Sequence, residues 1–191
     1  MNKNIILCGV GGQGTILASR LIASAAMNKK LEIKTAETIG MAQRGGSVFS
    51  HVRIGEEVQT PLIAKGEADL IIAFEPGEAV RLLPFLKKDG AVVVSNRPVM
   101  PVSALTGKSV YEPEAMIRYL KENVEHLLIV DAEKAEKDLG SSKTLNVVLL
   151  GAAACSGELG LSHEEIEGAI KERVPEKFLE LNHRALFWYE G

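Results

Sequence analysis

The chain opens on an apolar run, residues 4–9 (NIILCG), passes through Gly9-Val10-Gly11-Gly12-Gln13-Gly14, and continues with Ile16, Leu17, Leu21 and Ile22 at helical spacing. A buried strand, a glycine-bearing turn and an amphipathic helix in that order impose a βα unit with a tight first turn. In a Gly-x-Gly-x-x-Gly turn the first glycine permits the sharp reversal, the second lets backbone approach a ligand, and the third lets helix pack on strand. N–H groups at the helix start can then hold anionic oxygens. Gly9, Gly11, Gly12, Gln13 and Gly14 are therefore candidate nucleotide- or phosphate-binding residues, although the same glycines also serve a turn that is packed without any ligand. An acidic residue about 20 positions further on would take ribose hydroxyls. Glu37 is the candidate, its alternative role being a solvated carboxylate at a strand end.

The rest of the chain repeats the strand–helix theme. Residues 31–38 predict a second strand, and residues 47–54 and 58–62, separated by Gly55-Glu56-Glu57, predict a hairpin added to the fold. Residues 69–74 (DLIIAF) have the continuous apolar character of a strand inside a parallel sheet, and Pro76 is placed for the first turn of a helix running to Leu86. Strands follow at 91–95 and 126–130, with helices at 113–123, 132–139 and 143–156. Ser162-His163-Glu164-Glu165 reads as a capping box opening a helix to Arg173, and residues 175–189 give a final helix. Residues 96–111 read as an irregular excursion. This alternation predicts one α/β domain over residues 1–191: a three-layer, Rossmann-like fold with a mostly parallel sheet and the added β-hairpin.

Composition narrows the function. The 22 basic and 25 acidic residues leave a formal charge of −3 with no basic patch, which argues against a nucleic-acid partner. No apolar run reaches membrane-spanning length and the start carries no leader pattern, so the expectation is a cytoplasmic protein without a membrane partner. Cys8 and Cys155 are far apart and neither belongs to a Cys-x-x-Cys pair, so this chain alone is expected to bind neither a four-thiolate cluster nor any other metal. Both are expected to be ordinary buried thiols. His51, His126, His163 and His183 lack metal-ligand spacing. His51, in the strand after the second glycine loop, is the nearest of them to a candidate catalytic group.

That second loop carries Gln43, Arg44, Gly45, Gly46 and Ser47 at the carboxyl end of a strand. A fixed cation, an amide, two glycines and a hydroxyl suit a phosphate, a carboxylate or a partner's backbone; the plain alternative is a surface hairpin with a solvated Arg44. Here the chain resembles a known family. The Gly9–Gly14 turn with Ala18, then Gly40-Met41-Ala42-Gln43-Arg44-Gly45-Gly46-Ser47-Val48 with Ser50, Val52, Arg53 and Gly55, is similar to the gamma-type domain of 2-oxoacid:ferredoxin oxidoreductases. The lead-in Ala36-Glu37-Thr38-Ile39-Gly40 resembles the indolepyruvate branch. Ala68-Asp69, Glu75-Pro76, Asn146 with Leu150-Gly151-Ala152, and Val174-Pro175-Glu176-Lys177 before Asn182 and Ala185 agree with the family in order.

The resemblance implies a subunit that is inactive alone and acts with a large alpha subunit carrying thiamine diphosphate and iron–sulfur clusters. That complex oxidatively decarboxylates an aryl 2-oxoacid, indolepyruvate in first place, to an acyl-coenzyme A and passes electrons to ferredoxin. The two glycine loops would then close over a shared site, with coenzyme A as a ligand there. Isolated copies could pair as a homodimer. Two rival readings rest on the residues alone: a self-sufficient nicotinamide-dependent oxidoreductase, for which the glycine fingerprint and Glu37 are the whole case, and a non-catalytic nucleotide-binding scaffold.

Overall fold

The computed structural model describes residues 2–38, 46–56, 58–107 and 110–190. Strand β1 (Lys3–Val10) leads into helix α1 (Thr15–Asn28), followed by β2 (Ile33–Thr38), β3 (Ser47–Ile54) and β4 (Ala68–Ala73). Helix α2 (Pro76–Leu82) passes through a 3-10 turn at Leu83–Phe85 into β5 (Leu86–Ser95). Then come α3 (Val102–Leu105), α4 (Pro113–Asn123), β6 (His126–Val130), α5 (Ala132–Leu139), α6 (Leu145–Cys155), α7 (His163–Arg173) and α8 (Leu179–Leu186).

The strands form one six-stranded sheet in the order β2-β3-β1-β4-β5-β6. β1, β4, β5 and β6 run parallel, and β3 is antiparallel to both neighbours, β1 and β2. The mostly parallel, three-layer α/β expectation holds, and alternation along β1 shows how it is built. Ile5 and Leu7 face one side and pack with Leu21 and Ile22 of α1, the wholly buried run Val147–Leu150 of α6, and α7. Ile6 and Cys8 face the other side with Ala79 and Leu82 of α2 and Leu120 of α4. Buried on both faces, the central strands carry the continuous apolar runs that such a position requires.

The added antiparallel strand is present, but its partners differ from those predicted. Residues 58–62 form no strand. Both edges of β3 are already bonded to β1 and β2, so no ladder is left for a third partner, and Pro61 lacks the N–H that one would use. Arg53 holds this segment instead, its Nη1 donating to the carbonyls of Thr60 and Leu62 (both 3.2 Å). Helix α2 ends before Leu86 because Pro84 enforces the 3-10 turn. The capping box at Ser162 forms as read, with Ser162 and Glu165 bonding each other's backbone N–H groups.

Candidate functional site

The glycine turn stands at the carboxyl end of β1. A Cβ at Gly9 would lie 2.7 Å from Gln13 Oε1 and 2.8 Å from Phe74 Cβ, so only glycine fits. Gly14, at φ +89°, is the N-cap of α1, and a Cβ there would lie 3.0 Å from Nδ2 of Asn146, which α6 delivers beneath the turn. The Gln13 side chain accepts a hydrogen bond from Val10 N–H (2.7 Å) and donates one to the Phe74 carbonyl (3.0 Å). β1 and β4 are adjacent and parallel, while α1 and α2 leave them toward opposite faces. That is the switch point at which open α/β sheets receive ligands, and Gln13 spans its mouth with the protein's own amide.

Space opens on the other side of the turn. The Gly11 N–H donates to the carbonyl of Gly46, the residue just before β3 (2.8 Å), which sets the start of β3 beside the glycine turn. Between the turn, α1 and the β2–β3 pair lies a cavity of about 380 Å³ lined by Gly11, Gly12, Gly14 and Glu37, with Ile16, Val48 and Ser50 among its walls. Glu37 and Ser50 are cross-strand partners, and Ser19 of α1 brings its hydroxyl to 3.3 Å from Glu37 Oε1. Ser47 belongs to a different neighbourhood. Its hydroxyl donates to Glu78 Oε2 (2.7 Å) and meets the guanidinium of Arg81, which is paired with Glu78 and stands 5.5 Å from the centre of the Phe49 ring. The predicted site residues thus divide: Gly11, Gly12, Gly14 and Glu37 share the cavity, Gly9 and Gln13 lie at the β1–β4 junction, and Ser47 is tied to α2. Gln43, Arg44 and Gly45 lie outside the described residues.

Sequence reasoning missed Glu75, the residue after Phe74. Only 2% exposed, it caps α2 by accepting the Glu78 N–H (3.0 Å). Its other oxygen, Oε1, and the Tyr111 hydroxyl are both buried and meet no hydrogen-bond partner among the described residues, and a Cβ at Gly77 would lie 3.1 Å from both the carboxyl and the tyrosine ring. Burial raises the Glu75 pKa above the ordinary carboxylate value, opposed by backbone N–H groups. Its signal in the sequence was Glu-Pro after an apolar strand, an N-cap followed by an N1 proline. Ser19, Glu78, Arg81 and Asn146 gave no comparable signal as site neighbours.

His51 is a core histidine. It is 5% exposed, its Nδ1 accepts the Ile63 N–H (3.2 Å), rings of Phe49 and Phe85 flank it, and burial lowers its pKa. Cys8 is buried as expected, and burial pushes its thiol far up. Cys155 corrects the reading of two buried thiols: it is exposed, because α6 ends on it, and its Sγ lies 3.8 Å from His163 Nε2. Among the described residues no three metal-ligating side chains converge, and no helix is long and apolar enough to cross a membrane.

Comparison with known proteins adds the family. Residues 4–187 match the model of the pyruvate ferredoxin/flavodoxin oxidoreductase family. The chain belongs to this family. Among curated relatives it is similar to the indolepyruvate oxidoreductase subunit IorB of Archaeoglobus fulgidus, with 42% identity over 97% of this chain and 92% of that protein. It is also similar to IorB of Thermococcus kodakarensis, with 39% identity over 95% and 91% of the two chains. Among solved structures it is similar to the gamma subunit of a keto/oxoacid ferredoxin oxidoreductase from Geobacter sulfurreducens, with a TM-score of 0.68 and 27% identity over 96% of this family member and 94% of that chain.

Proposed function

We propose that this chain is the small subunit of an aryl 2-oxoacid:ferredoxin oxidoreductase acting on indolepyruvate, and that it works only in complex with a larger subunit. The observation that carries the reading is its similarity, over nearly the full length of both chains, to subunits named for indolepyruvate. The residues of this chain do not fit the redox groups that the reaction needs. Cys8 is sealed inside β1 and Cys155 ends α6, and among the described residues nothing else joins them in a ligand set. Thiamine diphosphate and the iron–sulfur clusters are accordingly assigned to the partner subunit, and ferredoxin is reached through the complex.

This chain's own contribution is a shaped surface at the carboxyl end of β1 and the amino end of β3, where Gly11 of the glycine turn meets Gly46. The loops face the partner's reaction centre and help hold coenzyme A or the oxoacid. Arg44 supplies the positive charge for a phosphate or carboxylate, and Gln43 supplies an amide. Against the nicotinamide alternative, Gln13 spans the β1–β4 crevice and the Gly11 N–H is committed to Gly46. The test is kinetic and uses the assembled complex. Arg44→Ala should raise KM for coenzyme A or the oxoacid by roughly 10-fold or more, the loss of one charge-assisted contact, with assembly intact. Unchanged kinetics would remove the loop from the mechanism, and equal turnover of pyruvate and indolepyruvate would overturn the aryl assignment.

A further inference from the structure

The cavity beside the glycine turn has a chemistry of its own. Among its described lining residues Glu37 alone carries a charge, and that charge is negative. Ile16 and Val48 give it apolar walls, and Ser19 Oγ, which donates to the Ile16 carbonyl at 2.9 Å, stands 3.3 Å from Glu37 Oε1. Among these described residues nothing offers a phosphate a positive charge, and the Glu37 carboxylate repels one at close range. Thr15, Thr38 and Ser50 add hydroxyls, but most of the wall is apolar, so a sugar, polar over its whole surface, would leave hydroxyls against Ile16, Val48 and Phe49. A flat apolar ring satisfies the walls, and one N–H on that ring satisfies the carboxylate. The turn also allows close approach: at Gly12, φ +104°, a Cβ would meet nothing within 4 Å, so the backbone is bare where a ring face would lie. The volume of about 380 Å³ falls in the range that holds small ligands, roughly 300–1,000 Å³.

We propose that this cavity binds a planar heteroaromatic ring bearing an N–H donor, with Glu37 as the acceptor. The proposal deepens the functional reading above and rests on it for the two sources of such a ring: the adenine amino group of a coenzyme A-type nucleotide, or the indole N–H of an aryl oxoacid. Glu37 then selects for a donor, and the apolar walls select for a ring.

The test is calorimetric titration of the full-length chain with adenosine, N6,N6-dimethyladenosine, indole-3-acetate and 1-methylindole-3-acetate. Indole-3-acetate serves as an unreactive stand-in for the oxoacid. One parent compound should bind and its N-methylated partner should bind roughly 10- to 100-fold more weakly, as expected for one hydrogen bond to a charged acceptor. Which parent binds identifies the source. Glu37→Leu should abolish the difference between parent and methylated compounds, and Glu37→Gln, which keeps an acceptor oxygen, should retain part of it. Glu37 is half-buried at the end of β2, and thermal melts of both variants check that they remain folded.

Methylation without effect on adenosine binding would point to the ribose instead, and would overturn the proposal. So would binding unaffected by Glu37→Leu, or the absence of binding by either parent at millimolar concentration. These failures are distinct from failure of the subunit reading, which is decided by assembly and turnover with the partner.

Discussion

Gln13 joins two strand ends with one side chain, and its removal is informative. Gln13→Ala would leave the Val10 N–H and the Phe74 carbonyl without their partner in a buried place. The expected loss is about 1–3 kcal/mol per stranded group, read from urea denaturation, with intact secondary structure. His51 and Glu75 tilt stability in opposite directions with pH. Burial lowers the His51 pKa, so the unfolded chain binds the proton more readily; its contribution is complete above about pH 6.5 and is lost as pH falls toward the lower folded value. Burial raises the Glu75 pKa, so its contribution is complete below about pH 4.3 and is lost as pH rises through the higher folded value. Denaturation curves across pH should show the acid-side loss shrink in His51→Gln. Glu75→Gln, which mimics the protonated acid, should gain stability relative to the parent as pH rises. A stability gap between Glu75→Gln and the parent that does not move toward the variant as pH rises would contradict the raised Glu75 pKa.

At the scale of elements, α6 and α8 meet so closely that glycine is obligatory. A Cβ at Gly151 would fall 2.0 Å from the Leu186 carbonyl oxygen, a backbone atom that cannot swing aside. Gly151→Ala should therefore cost about 3 kcal/mol or more through displacement of α8, measurable as a lowered denaturation midpoint. Much of the element order was legible because the local signals agreed with the packing. Helix α4, strand β6 and helix α5 fall on their predicted boundaries, where Pro113, the Asp131 cap and Gly140 punctuate the chain. The failures were non-local. Residues 58–62 have strand-like alternation, but nothing in the segment reveals that β3 has both edges filled. The cavity was half legible: the glycines and Glu37 were visible as a fingerprint, whereas the role of Gln13 depends on Phe74, 61 residues away. The division of Ser47 from Glu37 depends on which face of the β2–β3 ladder each occupies, a matter of register that spacing alone does not give.

For the whole molecule, one sheet carries two apolar layers, with α1, α6, α7 and α8 on one face and α2 and α4 on the other. The antiparallel β3 widens the sheet beyond β1 and brings Gly46 against Gly11 at one end of the fold. Glycine turn, Glu37 cavity and capped Glu75 all gather at that end, whereas the exposed Cys155 lies where α6 terminates. The proposed role as one subunit of a larger complex places the glycine turn and the Glu37 cavity, which share this end of the fold, at the surface to be tested. The most direct measurement is gentle anaerobic purification of the chain from its native host, reading complex mass, iron, thiamine diphosphate and indolepyruvate-dependent dye reduction in the same fractions. The expected result is co-purification with a larger iron- and thiamine-containing subunit and dye reduction only when both chains are present. A chain that purifies alone, with the activity residing entirely in fractions that lack it, would contradict the assignment.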